Sequence, residues 1–152
     1  YGTTASGSES TAMGIYGTAS GDASTVMGEN STAYSYGETV IGIGATSYTT
    51  SVNGDTQFRV ANSSDRLFAI GNAIDANNNN TVDPGERSDA MVVLKNGNTG
   101  FGTSTPTNKL HLVGTSGNTI RIEDGNQGAG KVLTSDASGN ASWTTISAGG
   151  NT

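Results

Sequence analysis

A pattern of small polar and small apolar positions repeats every seven residues over the first 42 residues. Each unit begins with Thr, and all but one end in Gly. The six units are 4–7, 11–14, 18–21, 25–28, 32–35 and 39–42. A second period of fourteen lies over the first, since Met13, Met27 and Ile41 alternate with Ser6, Ser20 and Tyr34. The pattern predicts a repeat architecture with two segments in every fourteen residues.

The residue types exclude a coiled coil, although that structure also has a seven-residue period. Gly costs about 1 kcal/mol relative to Ala at each helical position, and no apolar a/d seam is present. Thr, Ser and Val instead suit short strands separated by Gly turns. We therefore predict a β-solenoid whose stacked coils pair their backbones. We expect Met13, Met27 and Ile41 to form one inner row and the Ser positions another.

Alternating apolar and polar residues predict further short strands beyond the repeat. Residues 56–60 and 66–70 flank the polar segment 62–65, which predicts a β-hairpin. Residues 91–95 precede Asn96-Gly97, a signal for a type I′ hairpin. Other candidate strands are 109–113, 119–122, and 131–133 with 141–144 around a turn at 138–140. No window supports a helix, so the predicted fold class is all-β. The predicted segments are a roll at 1–50, a β-hairpin connector at 51–102 and a fibre or stalk segment at 103–152.

The unit Thr-Val-Met-Gly-Glu-Asn-Ser-Thr-Ala, residues 25–33, resembles the S-x-A-x-G head repeats of trimeric autotransporter adhesins. The resemblance covers about residues 1–45. It implies a left-handed parallel β-roll in which three chains pack around one axis. Ser35 departs from this pattern, which would place Gly there. The repeat is lost from Ala45 onward, so we expect the roll to end there.

A second resemblance covers about residues 56–145. Residues 87–98, 100–103, 109–112 and 130–143 are similar to segments of phage tail fibres and fibre-like bacterial surface proteins. This resemblance also implies an elongated homotrimer, and it transfers no catalytic residues to this chain.

Composition narrows the function. The chain is 32% hydrophobic and 13% charged with 23 Gly, against about 45–50% and 25% in ordinary globular domains. So few large apolar residues disfavour the thick core of an α/β enzyme. The absence of Cys excludes disulfides and thiolate sites.

Charge and hydropathy argue against two classes of partner. The net charge is -6, and the first basic residue is Arg59. Without a Lys/Arg cluster, nucleic acid and anionic membranes are poor partners. No apolar run approaches the roughly 20 residues of a membrane span. The start at Tyr1, without a signal peptide, indicates a piece of a longer protein.

The segment from Asp75 to Glu86 has the ligand spacing of an EF-hand calcium loop. The predicted ligands are the side chains of Asp75, Asn77, Asn79, Asp83 and Glu86 and the carbonyl of Thr81. Asn80 stands where Gly is usual, but Asn tolerates the left-handed backbone. Pro84 and the lack of flanking helices count against the site, and a plain Asn-rich turn remains the alternative.

Three other groups are weaker candidates for a functional site. His111 lies between Leu110 and Leu112, which predicts a polar strand face and a structural or solvent-facing role. The pair Glu123-Asp124 could suggest glycoside hydrolysis, but adjacent strand positions face opposite ways and Gly125 indicates a turn. Trp143 is expected to bury its ring at a contact between chains, with sugar stacking as the alternative.

These observations predict a non-enzymatic, structural or attachment fragment of a homotrimeric extracellular fibre. A bacterial cell surface and a virion tail both fit, and the receptor, a protein or glycan, stays open. The competing hypothesis is a glycan-degrading enzyme of the tailspike type.

Overall fold

The computed structural model describes residues 2–117 and 119–146. It is nearly all β, as predicted, and the chain separates into two compact units, Tyr1–Thr115 and Ser116–Thr152. The strands of the first unit are Thr4–Ala5 (β1), Thr11–Ile15 (β2), Thr18–Ala19 (β3), Thr25–Glu29 (β4), Thr32–Ala33 (β5), Thr39–Ile43 (β6), Arg66–Asn72 (β7), Asp89–Leu94 (β8), Thr99–Phe101 (β9) and Leu110–Leu112 (β10). Those of the second are Lys131–Ser135 (β11) and Ala141–Thr145 (β12).

The repeat forms a solenoid of stacked coils. The short strands β1, β3 and β5 make one parallel sheet, and the longer strands β2, β4 and β6 pair in parallel within another. Thr11, Thr25 and Thr39 are direct partners, so each coil takes fourteen residues. The predicted period and stacking are confirmed.

The interior row of the roll is not the one that the sequence suggested. Val26 and Val40 are 0% exposed, whereas Met13 and Met27 are 54% and 42% exposed. The buried residues of the opposite sheet are Ala19 and Ala33, in place of the Ser positions. Neighbouring strand residues point to opposite faces, so a shift of one residue exchanges the inner and outer rows. The core between the sheets is built from Ala and Val, and the larger Met side chains face outward.

The Gly in each long strand lets the coils approach closely. A Cβ atom built on Gly28 would lie 1.9 Å from the carbonyl oxygen of Gly42, and Gly28 has φ +149°. Gly14 has φ +113° and makes the same approach to Gly28. Such a position accepts only a residue without a side chain, which explains the invariant spacing of these glycines within the repeat.

The sheet continues after the last repeat. Strand β7 pairs in parallel with β6, with Val40 opposite Ala69. Strands β8 and β9 then add in antiparallel fashion, and β10 lies parallel to β9. The resulting seven-stranded sheet has the order β10-β9-β8-β7-β6-β4-β2. The repeat therefore ends after Ile43, whereas its long-strand sheet gains four more strands.

The hairpin predicted from 56–60 and 66–70 is wrong in its first strand. Residues 56–59 form no strand, and Val60–Asn62 is a 3-10 turn. Asn62 accepts a hydrogen bond from the Arg59 N–H at Oδ1 (3.0 Å). Asp65 accepts hydrogen bonds from Ser51 instead of ending a hairpin turn. These side-chain contacts compete with strand formation, and the antiparallel partner of β7 is β8.

The hairpin around Asn96-Gly97 is confirmed, but its turn is not type I′. That turn needs positive φ at both residues, and here Gly97 (φ 81°) has it while Asn96 does not. The N–H of Gly97 bonds the carbonyl of Leu94 at 2.8 Å, and the N–H of Leu94 bonds the carbonyl of Asn98 at 2.9 Å. This pattern is a type I turn followed by a left-handed residue in a bulge.

The second unit holds one antiparallel hairpin, β11 with β12, around the predicted turn at 138–140. The described residues between Thr119 and Ile122 form no strand, so that prediction is wrong. The half-buried Trp143 donates from Nε1 to the carbonyl of Ile122 (3.3 Å). Hydrogen bonds from Asn140 hold the pKa of the Asp136 carboxyl below its usual value, because they favour the ionised acceptor.

Candidate functional site

The outward face of the seven-stranded sheet carries one apolar residue from every strand. These residues are aligned by direct strand pairing: Met13, Met27, Ile41, Ile70, Met91, Phe101 and Leu112. We call this set the outer row. Six steps of about 4.8 Å give it a length of about 29 Å. Met13, Met27 and Phe101 are exposed, and the other four residues of the row are half-buried. Large exposed apolar patches are typical of interaction sites.

Two margins flank the outer row on β2, β4, β6 and β7. The margin at the strand starts contains Thr11, Thr25, Thr39 and Phe68. The margin at the strand ends contains Ile15, Glu29, Ile43 and Asn72. The structure describes all of these residues. Among them and the outer-row residues beside them, Glu29 is the one charged residue. The face is thus nearly uncharged, and its single charge lies at the strand-end margin.

The predicted cation loop lies between β7 and β8, and its side chains converge. Both carboxylate oxygens of Asp75 accept backbone hydrogen bonds, from Asn79 at 3.1 Å and from Asn80 at 2.8 Å. The carboxylate of Glu86 accepts from the N–H groups of Ala76 (2.8 Å) and Asp83 (3.0 Å). The first and last predicted ligands therefore close the loop on itself.

The backbone of this loop has the conformation that its sequence suggested. Asn80, at the position where Gly is usual, has φ 60°. Thr81 donates its N–H to Oδ1 of Asn79 at 2.9 Å. Pro84 begins a 3-10 turn, Pro84–Glu86, so it supports the loop's end and does not disrupt it.

The donor set of the loop fits calcium only after two amides turn. Asn77 and Asn79 direct their Nδ2 atoms to Oδ2 of Asp83, at 2.8 and 3.1 Å. Rotation of each amide would present oxygen, the atom that calcium prefers. Among the described residues, no group of three or more His, Cys, Asp or Glu side chains is placed to hold a metal ion. The carboxylates of Asp75, Asp83 and Glu86 are therefore not grouped around one point in this structure, and calcium binding stays a prediction.

The base of the loop is attached to the roll. Arg87 donates from one guanidinium nitrogen to the carbonyls of Asn30 (2.5 Å) and Ala45 (3.1 Å). A cleft of about 330 Å³ between loop and roll is lined by residues that include Glu29 and Asp75. A change in the order of the loop would therefore reach the last coils of the repeat through the hydrogen bonds of Arg87.

A buried polar junction, absent from the sequence-based expectations, joins the last coil to the segment that follows. Ser35, where the repeat would place Gly, is 0% exposed and donates its hydroxyl to the carbonyl of Arg66 at 2.6 Å. Glu38 is also 0% exposed, and its Oε2 accepts from the N–H of Tyr34 at 2.7 Å and from the Tyr48 hydroxyl at 3.0 Å. The departure at Ser35 was the sequence signal for this junction.

Arg66 and Asp89 form the second half of the junction. Their side chains are 3% and 1% exposed and form an ion pair at 3.1 Å. The guanidinium carbon of Arg66 lies 4.6 Å from the ring centroid of Tyr48. Thr46 bonds both partners, accepting from Arg66 and donating its backbone N–H to Asp89. Both charges of the ion pair therefore have an opposite charge and hydrogen-bond partners inside the protein.

Burial shifts the pKa of three groups in the junction. Desolvation raises the pKa of Glu38, and hydrogen bonds from Ser35, Tyr34 and Tyr48 oppose the rise only in part. Desolvation also raises the pKa of Tyr48, and it lowers that of Lys95. Oε1 of Glu38 and Nζ of Lys95 are both shielded from solvent and without a hydrogen-bond partner in the described part of the chain. The junction therefore disfavours the ionised form of Glu38.

The remaining candidate groups are not brought together. His111 pairs with Gly100 in the row that contains Val92, so it lies on the inward face and the flanking Leu110 and Leu112 face outward. His111 thus lies opposite the two Leu residues, as predicted; it is half-buried, and its Nδ1 accepts a hydrogen bond from the N–H of Thr107 at 3.3 Å. Glu123 forms an ion pair with Arg121, and Asp124 precedes a turn at Gly125 (φ 85°).

No family model, curated protein or solved structure shows significant similarity to the chain. Among the residues that the structure describes, no helix has the length and apolar character needed to cross a membrane.

Proposed function

We propose that the chain is a structural and attachment part of a homotrimeric extracellular fibre, as its resemblance to adhesin heads and tail fibres implies. The observation that carries the proposal is the outer row, which runs across all seven strands of the main sheet. A bacterial cell surface and a virion tail both remain compatible locations.

Burial of the outer row is the physical reason for assembly. Met13 and Met27 stay 54% and 42% exposed in the single chain, and Phe101 is 43% exposed. Removing apolar surface from water contributes about 25 cal/mol per Å². Since the buried apolar residues of the roll are Ala and Val, the larger apolar side chains of the repeat lie on this face. Three copies around one axis would cover it.

A rigid repeat also suits a role in attachment. Each coil pairs its backbone with the next, so the surface groups are held at fixed positions. Three copies on one axis would present three equivalent surfaces, which raises the apparent affinity for a surface by avidity. The calcium loop, if occupied, would fix the segment between β7 and β8.

Attachment is tested with fluorescently labelled protein on a panel of bacterial cells and purified surface polysaccharides. We expect saturable binding by the native chain and at least about a hundredfold weaker binding by Met27→Asp, which should not assemble. Val52→Asp is the matched control, since Val52 is 86% exposed and lies outside the outer row. Absence of saturable binding throughout the panel would overturn the attachment role.

The competing proposal is a glycan-degrading enzyme of the tailspike type. Its carboxylate pair would have to be Glu123 and Asp124, and Glu123 is engaged by Arg121. Incubation with the same polysaccharides should yield no new reducing ends. Turnover that disappears in Glu123→Gln or Asp124→Asn would instead establish the enzyme.

A further inference from the structure

The loop that follows the roll exposes apolar side chains in an ordered setting. Phe58 and Val60 are 72% and 91% exposed, and Arg59 between them is also exposed. The ring of Phe58 lies 4.9 Å from that of Tyr36, which belongs to the turn before β6. We call residues 58–60 the corner tip.

The segment that precedes the corner tip is held against the roll by backbone hydrogen bonds. The N–H of Tyr36 bonds the carbonyl of Gly54 at 2.8 Å, and the N–H of Asp22 bonds the carbonyl of Asp55 at 2.8 Å. Asn62 adds side-chain bonds to Ser51 and to the carbonyl of Val52. Exposed apolar residues on so well anchored a loop are suited to a contact with a fixed geometry.

Symmetry determines what the corner tip meets. This step rests on the proposed trimer. If the outer row faces a threefold axis parallel to the stack of coils, the strand-start edge of one copy adjoins the strand-end edge of the next, because contacts in a ring are heterologous. The corner tip lies at the strand-start edge, beside the turn that leads into Thr39.

The strand-end margin complements the corner tip in polarity and charge. Ile15 and Ile43 are 43% and 45% exposed, and Glu29 aligns between them in the strand pairing. Arg59 is the first basic residue of the chain and is flanked by Phe58 and Val60. An apolar–cationic–apolar tip therefore faces an apolar–anionic–apolar margin.

We propose that the corner tip of each copy docks on the strand-end margin of the next, with Arg59 beside Glu29 and Val60 beside Ile43. The occupant of this margin is thus a second copy of the chain. Each copy gives one tip and receives one, so within the proposed trimer the three contacts form a closed ring.

Disulfide trapping tests this contact, because the chain has no Cys of its own. The double variant Val60→Cys/Ile43→Cys should give covalent trimers under mild oxidation, since a disulfide needs Cα atoms within about 7 Å. Each single variant should give none, and neither should the control pair Val60→Cys/Val113→Cys. Sedimentation of each reduced variant, before oxidation, shows whether it was a monomer or a trimer when the disulfides formed.

A charge exchange gives a second readout. Arg59→Glu and Glu29→Arg should each weaken assembly by about two- to fivefold per interface, and the double variant should restore it. Reduced trimers that neither cross-link nor respond to the exchange would overturn the docking and leave the trimer intact. Monomers of the native chain would overturn the proposed function together with the docking.

Discussion

The hydroxyl of Tyr48 donates to Oε2 of Glu38 across 3.0 Å, and this bond connects the segment after the repeat to the last coil of the roll. Neither side chain belongs to the repeat pattern at that point. Glu38 is buried, and its other carboxyl oxygen, Oε1, has no hydrogen-bond partner among the described residues. The end of the solenoid is thus closed by a polar junction, in which burial acts against ionisation.

The junction predicts an unusual dependence of stability on pH. The pKa of Glu38 is raised in the folded state, so its contribution is fully present below the unfolded value of 4.5 and is lost as pH rises through the raised value. The unfolding free energy of the native chain minus that of Glu38→Gln should therefore fall as pH rises from 4 to 8. Arg66, Lys95 and Asp65 also face this region and remain unchanged in both proteins.

Chemical denaturation of the two proteins across this pH range measures that difference. Glu9→Gln is the control, since Glu9 is exposed and its loss should leave the pH dependence as it is. If the unfolding free energy of the native chain minus that of the variant instead rose with pH, the fold would favour ionised Glu38.

The buried ion pair predicts a large cost for removing one partner. Asp89→Ala would leave the guanidinium of Arg66, 3% exposed, without its carboxylate. We expect a loss of about 3–5 kcal/mol in unfolding free energy, whereas removal of the exposed pair through Glu123→Ala should cost about 1 kcal/mol or less. Urea unfolding monitored by circular dichroism compares them. Equal costs would mean that Arg66 finds other compensation.

The stacking of equivalent coils predicts that a whole coil can be removed. Deletion of residues 18–31 joins Gly17 directly to Thr32. Thr32 pairs with Thr18 in the preceding coil, so it can take the position of Thr18 after Gly17. We expect a folded protein with lower thermal stability, because one coil interface is lost. Deletion of residues 18–24 is the matched control. It would place two long strands in succession and should disrupt the roll. If both deletions unfold alike by circular dichroism, the coils are not equivalent.

The sequence predicted the solenoid because Thr, Met and Gly recur with the stacking period itself. It could not identify the inner face, since Met27 and Val26 are adjacent and a slip of one residue exchanges their environments. The choice between them depends on the thin space between two sheets, which accepts Val but not Met. Hydrophobicity alone therefore pointed to the wrong row.

The non-repeating part was harder to predict for a different reason. Residues 56–60 alternate like a strand, but hydrogen bonds accepted by the side chains of Asn62 and Asp65 take the place of a ladder. The strand that pairs with β7 is β8, which comes after the predicted cation loop. The alternation of apolar and polar residues within one segment does not show which distant segment it pairs with. By contrast, the loop's own geometry follows from its sequence, with φ 60° at Asn80.

The loop from Asp75 to Glu86 predicts stabilisation by calcium. At a hundredfold excess over the dissociation constant, calcium would add about 2.7 kcal/mol if it binds only the folded state. The native chain should melt at a higher temperature in millimolar calcium than in chelator. Glu86→Gln should lose this shift, and Glu9→Gln should keep it. An unchanged melting temperature of the native chain would show that the loop is an Asn-rich turn without a cation.

The mass of the native chain in solution shows whether the outer row drives assembly into a trimer. The chain mass is 15.3 kDa, so three copies give 3 × 15.3 = 45.9 kDa. Sedimentation equilibrium at low micromolar concentration should yield that mass, and Met27→Asp should shift it toward a single chain. A folded native monomer of 15.3 kDa under these conditions would contradict the account.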